Sequence, residues 1–402
     1  MPRFEPFRAI RYDVERLDPA LVTSPPYDVI SPDDRDALLA ADAHNVVRVD
    51  LPVPDPTDPS SDPYATAAAL FRLWRQQGVL VEDPEPTFTV HRMELVDDEG
   101  RPRRTTGVVG ALELSRPGEG GILPHEFTTP KAKSDRLDLL RATSANLSAV
   151  WGLSPAAGLS ELLVGDDADA LARFEADGVT HTVWRVDDPE RVAAIREAVS
   201  AHPVVIADGH HRYETSLAYR DEQRSTSPDG TAGGAEAVMC FVVELVDDEL
   251  MVGPIHRLLS GLPAGFDLLG ALDPFFAAEP ADLEGPGSVR RLQEAGALGL
   301  VTPEGSWLLR PRPDAMVGAR DLDSSRLDVA LSALDGVQVV YQHGVDHVQA
   351  AVAKGEAQGG VLLRPATVAQ ILEIAHGGER MPPKTTFFSP KPPTGLTFRD
   401  LT

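Results

Sequence analysis

Residues 204–220 constrain the fold more tightly than any other stretch of this chain. The apolar run Val204–Ala207 has the pattern of a short buried strand, and Asp208-Gly209 breaks it. Tyr213, Leu217 and Ala218 then recur at helical spacing. A strand, a tight turn and a helix must therefore follow one another, with Asp208-Gly209-His210-His211-Arg212 at the junction. A helix N-terminus offers backbone N–H groups and a positive dipole end, both suited to an oxyanion. Gly209 permits a positive φ and close backbone approach. His210, His211 and Arg212 add directional donors, and Asp208 adds a carboxylate able to hold Mg2+ or a proton. An aspartate here can also serve merely as a helix cap, and first-turn histidines are often solvated. Five consecutive polar residues directly after an apolar strand favour a site for phosphate chemistry.

Composition narrows the partners. The 402 residues carry a net charge of −25, which repels polyanions and argues against a nucleic-acid-coating role. No run approaches the roughly 18 apolar residues of a membrane span, and the first residues lack a signal-peptide core. The single cysteine, Cys240, lies in the apolar run Ala237–Val243 and is expected to be a buried thiol. A cytoplasmic protein acting on small molecules fits these features, with the oligomeric state left open. Only five of its 37 basic residues are lysines: Lys131, Lys133, Lys354, Lys384 and Lys391. In a chain that nearly avoids lysine, their placement hints at positions that want a flexible ammonium.

The pattern along the chain is mixed, with a fold class of α+β (mixed α/β). Strands are expected at Phe7–Tyr12, Asn45–Leu51, Phe88–Leu95 and Thr106–Leu114. Ser31-Pro32 opens a helix, with serine as cap and proline at the first position. Further helices are expected over 64–77, 133–144, 167–176 and 189–200. Ala237–Val246 and Leu250–Val252 read as a hairpin, and a boundary falls near 260–285. Beyond it come strands at 298–301, 306–310, 337–341 and Gly360–Leu363, with helices over Val345–Lys354 and Ala366–His376.

Two further constellations carry chemistry. His125-Glu126 precedes a helix, where Glu126 is either a general base for a hydroxyl or a glutamate favoured by the helix dipole. With Asp208 it suggests a division of labour, one carboxylate holding metal and the other taking a proton. Zinc is disfavoured, because adjacent histidines on a helix point about 100° apart.

Three segments resemble the ParB/sulfiredoxin-like free serine kinases: Pro124-His125-Glu126, Asp208-Gly209-His210-His211-Arg212 and Pro383-Lys384-Thr385-Thr386. Over its full length the chain more closely resembles domain-of-unknown-function family 1015, through Pro25–Ile30, His125 to Asn146, Ala207–Thr215 and Gly378–Gly395. The resemblance implies a ParB/sulfiredoxin-like core at 116–262, an N-terminal α/β extension at 1–115 and a C-terminal α/β domain at 263–402 contributing to the cleft. It implies a kinase that phosphorylates the hydroxyl of free L-serine from pyrophosphate, ADP or ATP, with Mg2+. Glu126 and Asp208 would be catalytic, and Asp208 the metal ligand. Gly209, His210, His211, Arg212 and Lys384 would bind the donor, with His125, Lys131, Asn146 and Thr385 accessory. The other readings are a phosphoserine phosphatase and a non-catalytic nucleotide-binding regulator. The kinases lack most of residues 1–115. Sulfiredoxins require a cysteine where His210 stands, and the ParB-type DNA-binding elements clash with the charge.

Overall fold

The computed structural model describes residues 1–402 apart from 55–56, 59, 98–99, 117, 125–130, 247–248, 286 and 377–383. The fold is mixed α/β and divides into two compact units. The first comprises Met1–Leu95, Pro102–Leu250 and Pro390–Thr402; the second comprises Val96–Arg101 and Met251–Ser389. Among the described residues no helix is long and apolar enough to cross a membrane.

The first unit is built on a nine-stranded sheet. Its order is Ile122–Pro124, Val204–Asp208, Val150–Ser154, Ala237–Glu244, Pro102–Glu113, Phe88–Val96, Val179–Val186 and Ala172–Ala176, with Phe4–Glu5 beside Pro102–Glu113. Val204, Val205 and Ile206 are fully buried, as the apolar run required. Their strand runs parallel to Ile122–Pro124, pairing Ile206 with Pro124, and antiparallel to Val150–Ser154. A register shift between Ile206 and Asp208 bends this second ladder. Such bulges re-aim the next side chain, here Asp208.

A second core lies beside the sheet, where Ile10, Tyr12, Phe71, Trp74, Leu139, Leu147 and Phe398 pack together. It joins the N-terminal segment to the Pro63–Gln76 and Lys131–Thr143 helices and to the end of the chain. Backbone bonds tighten the join: Ile10 with Phe398, and Ser24 with Thr394, each in both directions. The last thirteen residues are thereby stitched along residues 10–24. The expected Ser31 cap is present, in a reciprocal capping box with Asp34.

Three expectations are corrected. Val47–Asp50 is a single helical turn, not part of a strand over Asn45–Leu51. The β-branched run is overridden by Asn45, whose side chain accepts from Val47 N–H and donates to the carbonyls of Leu21 and Thr23. Residues 167–176 hold one short 3-10 turn and then the strand Ala172–Ala176. Asp177 and Gly178 both have positive φ, 52° and 73°, and turn that strand back against Val179–Val186. This is the Asp-Gly hairpin signal. Finally, Ala237–Glu244 and Met251–Pro254 form no hairpin. The former already has ladders on both sides, so it has no free edge, and the latter pairs with Thr386–Ser389.

The second unit carries a six-stranded sheet in the order Phe276–Pro280, Gly305–Pro311, Leu298–Thr302, Gly359–Leu362, His256–Ser260 and Gln338–Gln342. The expected helices are at Val345–Ala353 and Val368–His376, with another at Asp323–Leu331. A cavity of about 270 Å3 opens between Asp323, Ser324, Arg364, Thr367, Gln370 and Thr385.

Candidate phosphate and acceptor site

The junction has the geometry that the sequence demanded. The strand ends at Asp208, Gly209 has φ 84° and ψ 26°, and the helix runs from His210 to Thr226. Gly209 is the cap residue and so supplies no side-chain acceptor to the first turn. The left-handed backbone favours glycine, and a Cβ there would lie a tight 3.0–3.1 Å from the Arg212 guanidinium. One turn on, Arg212 folds back over the junction. It donates from Nη2 to Asp208 Oδ2 at 2.6 Å and from Nη1 to the Ala149 carbonyl.

Asp208 has a second cationic partner. Lys391 Nζ lies 3.0 Å from Asp208 Oδ1 and 3.1 Å from Asp28 Oδ2, bridging the two carboxylates. Burial works against charge on Asp208, but Lys391 and Arg212 more than offset it and hold its pKa at about 2. Burial likewise opposes charge on Lys391, and Asp208 and Asp28 outweigh it and raise its pKa.

The charges continue away from Asp208. Asp50 is 3% exposed; burial raises its pKa against the pull of Arg136 and Arg212. Arg136 donates to the Asp50 carbonyl at 2.6 Å, approaches its Oδ1 at 3.4 Å, and pairs with Asp135 at 2.6 Å. Its guanidinium also sits 4.2 Å from the centre of the Tyr27 ring, a cation–π contact. Asp28, Lys391, Asp208, Arg212, Asp50, Arg136 and Asp135 thus alternate in sign. Alternation allows many charges to share a partly buried site without leaving one uncompensated.

Of the residues singled out from sequence, Asp208, Gly209, His210, His211 and Arg212 come together at the junction. Asn146 joins them: it lines a small cavity with Arg212, and its Oδ1 accepts from Met239 N–H at 2.9 Å. His125 and Glu126 lie outside the described residues. Lys131 opens the helix that ends at Thr143, its side chain also outside that description. Lys384 and Thr385 belong to the second unit. There Lys384 has a left-handed φ of 58°, and Thr385 donates to Ser324 Oγ at 3.2 Å.

Sequence reasoning missed Asp28, Asp50, Arg136 and Lys391 as site residues. Two signals pointed to two of them: the scarcity of lysine to Lys391, and the Pro25–Ile30 segment to Asp28. Cys240 is fully buried in its strand, with its thiol pKa pushed up by burial.

The sequence matches the family described as "Protein of unknown function (DUF1015)" over residues 4–335, and the chain belongs to that family. No curated protein matches it. Among solved structures, it is similar to a free serine kinase variant in complex with ADP, at 13% identity and TM-score 0.37, covering 67% of this chain and 84% of that one. A conserved hypothetical protein from Pyrococcus furiosus gives 14% identity and TM-score 0.37, covering 70% and 92%. SbnI with a C-terminal truncation, from Staphylococcus aureus, gives 11% identity and TM-score 0.39, covering 72% and 85%.

Proposed function

We propose that this protein is a phosphotransferase that moves a phosphoryl group from a nucleotide or pyrophosphate to the hydroxyl of a small acceptor, free L-serine. The observation that carries this reading is the Asp208 junction. An ionised carboxylate sits at a strand end, beside a glycine-capped helix N-terminus and between a fixed guanidinium and an ammonium. Phosphoryl transfer asks chiefly for positioned positive charge around the moving group.

In this reading the acceptor oxygen bonds to the terminal phosphorus as the bridging P–O bond of the donor breaks. The hydroxyl proton passes to Glu126. Pro124, the last described residue before it, pairs with Ile206 in the strand that ends at Asp208. The first turn of the helix, with His210, His211 and Arg212, orients donor phosphates. Lys391 and Arg212 set the charge of Asp208 and face the donor with it. Mg2+ commonly takes one or two carboxylates together with substrate phosphates, and Asp208 and Asp28 are oxygen ligands of that kind. When bound, the ion would neutralise donor charge.

The test is incubation of purified protein with L-serine, Mg2+ and ATP, ADP or pyrophosphate in turn, with detection of phosphoserine. Glu126→Gln is expected to lower turnover by roughly 10²- to 10⁴-fold while donor binding persists. Arg212→Ala is expected to weaken donor binding instead, by losing a fixed fork of donors. Absence of product with every donor would overturn the reading. Hydrolysis of phosphoserine without donor would make the protein a phosphatase, and tight donor binding without turnover would make it a regulator.

A further inference from the structure

Beside Arg212 lies a cavity of about 50 Å3 within the first unit. Its walls come from Asp50, Arg136 and Arg212, from Asn146 and Ser148, and from Thr215 and Ser216 on the helix that begins at His210. Leu139, Leu140, Ala145, Leu147 and Val238 complete it with apolar surface. Three of the polar walls carry a buried atom without a hydrogen-bond partner among the described residues: Arg136 Nη2, which is ion-paired with Asp135, and two acceptors, Asp50 Oδ2 and Thr215 Oγ1. Asp50 and Thr215 are 3% and 4% exposed. A buried carboxylate oxygen and a buried hydroxyl left unpaired each forfeit free energy, and both regain it from one incoming donor. The volume admits a handful of non-hydrogen atoms and excludes a nucleobase.

We infer that this cavity is the recognition pocket for the ammonium group of a small amino-acid acceptor, with Asp50 as its counter-charge and Thr215 as its second acceptor. The inference rests on the phosphotransferase reading only for the statement that the amine is an acceptor. An ammonium is the ligand chemistry that fits, because it brings a positive charge and three donors to a carboxylate and a hydroxyl. Arg136, on the same wall, suits the carboxylate of the same molecule. Asp50 comes from residues 1–115, so that segment would supply part of the acceptor pocket.

Calorimetric titration of the full-length protein with L-serine, ethanolamine and glycerate separates the contributions. Ethanolamine keeps the ammonium, whereas glycerate replaces it with a hydroxyl. The expected result is binding of L-serine and ethanolamine, with glycerate at least tenfold weaker than L-serine. Asp50→Asn should weaken both amines at least tenfold and should not weaken glycerate. Because Asp50 also pairs with Arg136, Thr215→Val provides the variant that removes an unpaired hydroxyl without disturbing an ion pair. It should fold as the parent does, by thermal melting, and bind the amines several-fold more weakly. No amine binding, glycerate equal to L-serine, or Thr215→Val and Asp50→Asn variants that bind amines as the parent does would each overturn the inference. Amine binding that responds to both substitutions, without phosphoserine from any donor, would retain the pocket and remove the kinase reading. Phosphoserine formation with an unchanged KM for serine in both variants would do the reverse.

Discussion

Lys391 Nζ stands 3.0 Å from Asp208 Oδ1 and 3.1 Å from Asp28 Oδ2, so one ammonium joins the C-terminal strip, the N-terminal segment and the strand end of the sheet. The lysine side chain is only 11% exposed. Removing it leaves two carboxylates facing each other, with Arg212 still paired to Asp208. Lys391→Met is therefore expected to destabilise the protein by about 2 kcal/mol, below the cost of a fully buried pair because Asp28 is more than a third exposed. Adding Asp28→Asn should recover part of that loss. Urea unfolding of the parent, single and double variants checks this, and a double variant less stable than the single would show that repulsion is not the cause.

That relationship also shows how far the sequence could be read. The 204–220 junction was legible because two periodicities, strand and helix, meet at a residue pair that only a turn accommodates. The strands Leu298–Thr302, Gly305–Pro311, Gln338–Gln342 and Gly359–Leu362 and the helices Val345–Ala353 and Val368–His376 were legible for the same reason. The helix Asp323–Leu331 and the strand Thr386–Ser389 were not read. The Val47–Asp50 turn was not, since Asn45 imposes it through bonds to residues 21 and 23, and periodicity carries no such term. Nor did pattern show that residues 390–402 return to the first unit, because backbone pairing of Thr394 with Ser24 is a long-range choice. Asp50 was hidden inside an apolar run, where a charged residue looks like an interruption of a strand.

Asp208 makes folding sensitive to strong acid. Its folded pKa of about 2 lies below the ordinary aspartate value, so the unfolded chain binds its proton first. Its contribution is complete above about pH 4 and is lost as pH falls through 2, amounting to roughly 2 kcal/mol. Unfolding free energy measured between pH 5 and 2 should fall less steeply in Asp208→Asn than in the parent. Equal slopes would mean that this carboxylate is not the group linked to protons.

Gly209→Ala tests the junction itself. The new methyl must adopt φ 84° and also meet Arg212 at 3.0–3.1 Å. Backbone strain alone costs about 1–2 kcal/mol, and the Arg212 guanidinium, which donates to Asp208, must shift to make room. Stability should fall by at least that amount, and donor affinity should fall with it. A variant with weakened folding but parental donor affinity would separate the turn from phosphate binding.

A buried histidine pair gives the protein a second, milder acid response. His91 Nε2 and His181 Nδ1 are 3.0 Å apart, with both residues at most 3% exposed. His181 also stacks on Phe174, with ring centres 4.9 Å apart, and His91 lies against Phe241. Burial lowers the pKa of His181 to about 4 and, together with His181, that of His91 well below its ordinary value. The unfolded chain therefore takes up protons first, so stability is complete above about pH 6.5 and declines as pH falls toward 4. The decline attributable to His181 is roughly 3 kcal/mol, set by about two and a half pH units. His181→Gln keeps a polar partner for His91 but does not titrate. It should lower stability at pH 7.5 and flatten its pH dependence between 6.5 and 4. Thermal melts at half-unit intervals would show this, and an acid limb as steep in the variant as in the parent would assign the response to other groups.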